Sequence, residues 1–180
     1  MSKRAIIVVD LQNEYLPSGK LPLVGIEQAT ENAAKVIELA RSKGDRVIFI
    51  RHEMAEAPFF VPGSQGVEII PAALPKKGED VLVKHYPNSF RETELKRMLD
   101  AEGVEEVVIV GAMSHMCIDA TSRAAADFGY STIVVHDACA TRDLEFDGAT
   151  VPAAQAHAAY MSALAFAYGE VVTTGELLGS

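Results

Sequence analysis

The chain has 180 residues, 49% hydrophobic and 23% charged, with a formal net charge of −9, the size of one domain over 1–180 that can bury a core without staples. The negative balance counts against nucleic acid and anionic membrane as partners, since both need clustered positive charge. The longest apolar runs, such as Val107–Val110, are far too short to span a bilayer, and no signal-like stretch follows Met1-Ser2-Lys3-Arg4, so the expected compartment is the cytosol.

Ala5–Val9 is a short, Val/Ile-rich run that predicts a first strand, ending at Asp10. Ile26–Ser42 carries Ala29, Ala33, Val36, Ile37 and Ala40 at helical spacing, and Gly44 closes it. Val47–Ile50 predicts the second strand. The connection Glu53–Gly78 holds Pro58, Pro62, Pro71 and Pro75 without a sustained helical repeat. A connection of that length in a compact domain is usually the wall or lid of a site. Val81–Val83 predicts a third strand, followed by Lys84. Ser89-Phe90-Arg91-Glu92 has the spacing of a capping box and predicts a helix opening there and running through Leu95, Met98 and Leu99. Val107–Val110 predicts a fourth strand. The turn Gly111–Met116 leads from it into an Ala-rich helix over Cys117–Phe128, stopped by Gly129. Ile133–Val135, a helix over Val151–Tyr168 and a weaker run at Val171–Thr173 complete the pattern. Most of the runs are continuous rather than alternating, as strands covered on both faces are. Strands alternating with helices give an α/β, doubly wound parallel sheet with helices on both faces.

In such a sheet ligands bind beyond the carboxyl ends of the strands, at the switch in strand order. Three complementary side chains fall on that edge: Asp10 after the first strand, Lys84 after the third, and Cys117 at a helix start after the fourth. A helix N-terminus and a nearby ammonium both lower a thiol's pKa. A carboxylate in reach can take the thiol proton, and backbone N–H groups around Cys117 can hold an oxyanion. A lone Cys on an Ala-rich helix reads as core; with Asp10 and Lys84 placed as they are, Cys117 reads as an accessible, low-pKa nucleophile. Cys139 reads as a buried or site-lining thiol, and no disulfide is expected between the two.

The segments Val8-Val9-Asp10-Leu11-Gln12-Asn13-Glu14-Tyr15, Lys84 before Asn88-Ser89-Phe90, and Gly111-Ala112-Met113-Ser114-His115-Met116-Cys117-Ile118-Asp119 resemble the isochorismatase-like cysteine hydrolases, as do Thr121–Ala125 and Asp137–Thr141. The resemblance covers nearly the whole chain in order. It implies a six-stranded parallel sheet in order 3-2-1-4-5-6, an Asp10–Lys84–Cys117 triad, a cis peptide at Ala112–Met113, oxyanion-hole N–H groups on Met113 and Cys117, and a homodimer or homotetramer. The nicotinamidases of that family carry Asp-x-His and a further His as a metal site after strand two. Here that place reads Arg51-His52-Glu53, so neither metal nor other cofactor is expected. Isochorismatases proper often lack the Cys, so Cys117 favours cleavage of a C–N bond in a small amide, carbamoyl or ureido compound. One alternative is vinyl-ether hydrolysis with Asp10 as acid. Another is a non-catalytic Rossmann-like binding module, disfavoured because Leu11-Gln12-Asn13-Glu14 offers no Gly-x-Gly-x-x-Gly loop.

His52, His85 and His115 each follow a strand, but their spacing matches no metal motif. His52 and His115 are taken as substrate-pocket residues, with Phe59 and Phe60 as a pocket wall that reaches toward a neighbouring subunit. Gln12 and Tyr15 either orient Asp10 and touch substrate or bond the local backbone; Phe90 is either pocket or core. The row Phe59-Phe60-Val61 would expose more apolar surface than a loop normally does, a second reason to expect an oligomer.

Overall fold

The structure, a computed structural model, describes residues 3–179. Its strands are β1 (Arg4–Val9), β2 (Arg46–His52), β3 (Asp80–Lys84), β4 (Glu106–Ala112), β5 (Ser131–Ala140), β6 (Leu144–Phe146), β7 (Ala149–Val151) and β8 (Glu170–Val172). Its helices are α1 (Ile26–Lys43), α2 (Leu95–Ala101), α3 (Asp119–Asp127), α4 (Ala153–Ala167) and α5 (Thr174–Leu178). Six strands form one parallel sheet in the order β3-β2-β1-β4-β5-β8. This is the expected 3-2-1-4-5-6 order, because β6 and β7 pair only with each other as an antiparallel hairpin.

The apolar runs divide between two cores, as residues alternating across a doubly covered sheet must. Ile6, Val8, Val47, Phe49, Val108 and Val110 face α1 and α5; Ala5, Ile7, Val9, Ile48, Ile50, Val107 and Ile109 face α2, α3 and α4. Each fully buried Val or Ile contributes about 1.5–3 kcal/mol. α1 lays Ile26, Ala29, Ala33, Val36, Ile37 and Ala40 on the sheet and ends at Gly44, whose φ of 75° is the left-handed cap that glycine adopts freely.

Four expectations need correction. The helix expected from Ser89 begins only at Leu95. Ser89 caps nothing; it is buried and hydrogen-bonds Thr121, while Glu92, at φ 56°, turns the chain out of helical geometry. The helix expected from Cys117 begins at Asp119, and Ser114–Ile118 form a π turn before it. β3 is an edge strand, so Val81 and Val83 face outward and only Lys84 is fully buried. The hairpin β6–β7 was not anticipated, although Asp147-Gly148, both with positive φ, is the residue pair that tight hairpin turns demand.

Candidate active site

β1 and β4 run side by side to the pair Val9–Gly111; β1 ends there and β4 one residue later, at Ala112. Gly111 has φ 127°, and a Cβ on it would sit 1.9 Å from the Val9 carbonyl oxygen, so only glycine lets the strand ends approach. Asp10 leaves β1 at φ 51°, an unusual conformation for a residue with a side chain, held by its N–H donating to the Ile50 carbonyl at 3.0 Å. The Ala112–Met113 peptide is cis. The Met113 N–H, which follows it, has no hydrogen-bond partner among the described residues.

These turns bring Asp10, Lys84 and Cys117 together. Lys84 Nζ lies 2.7 Å from Asp10 Oδ2 and donates to Cys117 Sγ at 3.3 Å and to His52 Nδ1 at 2.7 Å. The Asp10 contact is an ion pair rather than a well-directed hydrogen bond, and Oδ1 has no partner, so the carboxylate keeps an open acceptor. Asp10 and Lys84 are 0% and 1% exposed, Cys117 5%.

Cys117 is therefore buried, not the accessible low-pKa thiol expected. Burial first, and then the Asp10 charge, push its pKa up to about 12 against the opposing pull of the Lys84 ammonium. A second anion beside a buried carboxylate is disfavoured, so the resting thiol is neutral. Lys84 stays charged: burial would lower its pKa, but Asp10 and Cys117 hold it above the ordinary value. Cys139 is also buried, with its thiol pushed up to about 12 by burial.

Above Cys117 opens a cavity of about 470 Å³. Its walls are Tyr15, Leu21, Met54, Phe59, Phe60, Pro87, Met113, Met116 and Leu144, with His52, His85, His115 and Arg142 as the polar or charged members. Tyr15 meets Phe60 edge-on at 5.1 Å, and Phe59 meets Phe60 at 6.0 Å. The Tyr15 hydroxyl is held protonated by burial and by the neighbouring Cys117 and Asp10. His115 pairs with Thr141 Oγ1 at 2.6 Å.

The isochorismatase domain family matches residues 4–176. The isochorismatase family protein YddQ of Bacillus subtilis is 47% identical over 97% of this chain and 98% of its own. A crystal structure of an isochorismatase hydrolase from Oleispira antarctica superposes with a TM-score of 0.96 at 52% identity, covering 99% of this chain and 97% of that one. Maleamate amidohydrolase of Pseudomonas putida is 30% identical over 95% of this chain and 83% of its own. The chain belongs to the isochorismatase family.

For an isochorismatase-family chain, the set expected at the site divides cleanly. Tyr15, His52, Phe59, Phe60 and His115 line the cavity beside Cys117; Gln12 and Phe90 do not. Gln12 is fully buried and spends its amide on backbone, donating to the carbonyls of His52 and Val67 and accepting from the His52 N–H. Phe90 packs on Phe128 and Tyr130 in the core between the sheet and α2–α4. Cavity residues the sequence reading missed include Met54, Arg142 and Leu144. Arg142 precedes the unanticipated hairpin and Leu144 opens it, and the Asp147-Gly148 turn signal could have revealed it. A metal does not fit. Asp10, His52 and Cys117 offer ligand atoms within 4.8 Å of one another, but the Lys84 ammonium already stands against all three.

Proposed function

We propose that this isochorismatase-family hydrolase cleaves a C–N bond in a small amide, carbamoyl or ureido compound through a thioester on Cys117. The observation that carries the reading is a buried Asp10–Lys84 pair with the Cys117 sulfur 3.3 Å from the ammonium, at the floor of a mostly apolar cavity. A neutral resting thiol suits it. As sulfur attacks the carbonyl carbon, its proton passes to Asp10, and the site keeps its net charge. Lys84 holds the sulfur's developing charge, and the Met113 and Cys117 N–H groups hold the oxyanion. The nitrogen leaves with the proton returned by Asp10. Water then attacks the thioester, yielding the acid and restoring the thiol.

The substrate inferred from the walls is compact, with a flat or apolar acyl portion packed on Tyr15, Phe59 and Phe60. Arg142, exposed at the mouth and without an ion pair among the described residues, suits an anionic far end. The test is a panel of small amides, ureido acids and carbamoyl compounds, each with and without a carboxylate, assayed with wild type and Cys117→Ala. Turnover that Cys117→Ala abolishes is expected. Amide or ureido hydrolysis that survives the substitution would overturn the thioester route, and turnover of a vinyl ether added to the panel that survives it would point instead to Asp10 acting as an acid.

A further inference from the structure

An ammonium carries three N–H donors and no acceptor. Three side chains from different elements converge on that of Lys84, and the route proposed above uses two of them, Asp10 and Cys117. The third is His52, whose Nδ1 takes the shortest directed hydrogen bond, 2.7 Å. His52 is built into place. The β2–β3 register sets it directly opposite Lys84. The Gln12 amide clamps its backbone from both sides, accepting from the N–H at 2.8 Å and donating to the carbonyl at 2.9 Å. Its ring packs against Phe60 with centroids 5.4 Å apart. Facing a group that can only donate, Nδ1 must present a lone pair, so the ring is neutral with its proton on Nε2.

We infer that His52 is a positioning residue: it fixes the rotation of the Lys84 ammonium, so that the other N–H groups stay directed at the Cys117 sulfur and the Asp10 carboxylate. A lysine ammonium is a rotatable head on a flexible stem. On a side chain as buried as that of Lys84, an N–H without an acceptor would turn toward whichever acceptor is nearest, and the direction toward sulfur would be lost. Burial, with the Lys84 charge adding to it, holds the imidazole at a pKa of about 4, so it remains an acceptor through the neutral range. The inference rests on the thiol route and adds to it a residue that acts through Lys84.

The test reads the pH profile of Cys117 alkylation by iodoacetamide, which needs no substrate. The groups that face the thiol and ammonium are Asp10 after β1, Tyr15 in the next turn, His52 on β2, and Lys84 with His85 at the end of β3. The variants are H52L, which keeps bulk without an acceptor, H52N, whose amide oxygen can stand near the Nδ1 position, and K84M. The profile of H52L should move up by about one pH unit, about a tenfold slower alkylation at neutral pH, with H52N recovering most of the loss. In the wild type, nitrogen-15 NMR should show a neutral His52 with its proton on Nε2. An H52L profile that superimposes on the wild type, an H52N as slow as H52L, or a proton on Nδ1 would each overturn the inference. Should K84M also leave the profile unchanged, the thiol route itself fails; should K84M slow alkylation while H52L does not, only the role of His52 falls.

Discussion

A carboxylate and an ammonium shut away from water and 2.7 Å apart contribute little net stability, because desolvating both charges offsets most of their attraction. Removing one partner is another matter. Asp10→Asn keeps the shape but strands the Lys84 ammonium, and Lys84→Met strands the carboxylate. Each should cost about 3–5 kcal/mol in urea unfolding. The double substitution leaves no charge unpaired, so it should cost clearly less than the sum. Activity should follow a different rule: each single variant loses turnover, and the double is no worse than the worse single, since the groups act as one unit with Cys117. Additive losses in both stability and kcat/KM would show two independent charges. The positions of Asp10, Lys84 and Cys117 could be read from the sequence because strand ends are easy to find and reactive residues at three of them stand out. The protonation state of the thiol could not, because its burial comes from residues distant in sequence that the fold gathers around it. From the sequence His52 reads as a pocket residue, and its bond to Lys84 follows only from the β2–β3 register.

At the scale of elements, the long connection 53–78 is pinned at Phe60 by Glu14. This carboxylate is almost fully buried, and its two oxygens accept the N–H groups of Lys20 and Phe60, each at 2.9 Å. Gly66 makes the room, since a Cβ there would meet Glu14 Oε2 at 2.3 Å. Phe60 itself sits at φ 56°, a conformation that costs a bulky residue about 1–3 kcal/mol. The Glu14 bond, and the Met54 N–H donating to the Phe60 carbonyl at 2.8 Å, hold it there as a cavity wall. Glu14→Gln exchanges one acceptor for a donor facing a backbone N–H. It should destabilise the fold by about 1–3 kcal/mol and loosen the wall. With a substrate in hand, steady-state kinetics should show KM rising more than kcat falls. Unchanged stability and KM would mean that the connection holds itself. The length of this segment, without a sustained helical repeat, identifies it from the sequence as a wall or lid of a site. It could not reveal Glu14 as the pin, because the bond to Phe60 spans 46 residues. Gln12 escaped in the same way: beside Asp10 it resembles a site residue, and only the path of 53–78 past it shows that its amide serves the backbone.

For the whole molecule, the surface that calls for a partner is not the one the sequence suggested. Phe60 is buried and Phe59 half-buried against the core, so the row 59–61 exposes little. The two most exposed aromatic side chains among the described residues are instead Phe166 on α4, 92% exposed, and Phe146 in the β6–β7 hairpin, 81% exposed. α4 carries no Asp, Glu, Lys or Arg along its 15 residues, and its outward positions include Ala154, Ala158, Ala159 and Ala165. A chain of net charge −9 that leaves an uncharged helix face and two phenylalanines in solvent is expected to cover them with a second copy of itself. We therefore expect a homodimer or homotetramer, and Phe166→Glu should dissociate it by placing a charge in the contact. The hairpin adds a further consequence. Leu144 lines the cavity and Phe146 follows two residues later on the same strand, so a partner seated on the hairpin would also hold the cavity wall. Phe146→Glu should then weaken assembly and raise KM together, whereas Phe166→Glu should act on KM only as far as it lowers the oligomeric fraction. Sedimentation at micromolar concentration, run beside kinetics at the same concentrations, separates the two effects. A wild-type protein sedimenting as a monomer of 19.3 kDa would overturn the expectation, and an assembled Phe146→Glu variant with unchanged KM would show that the cavity is complete within one chain.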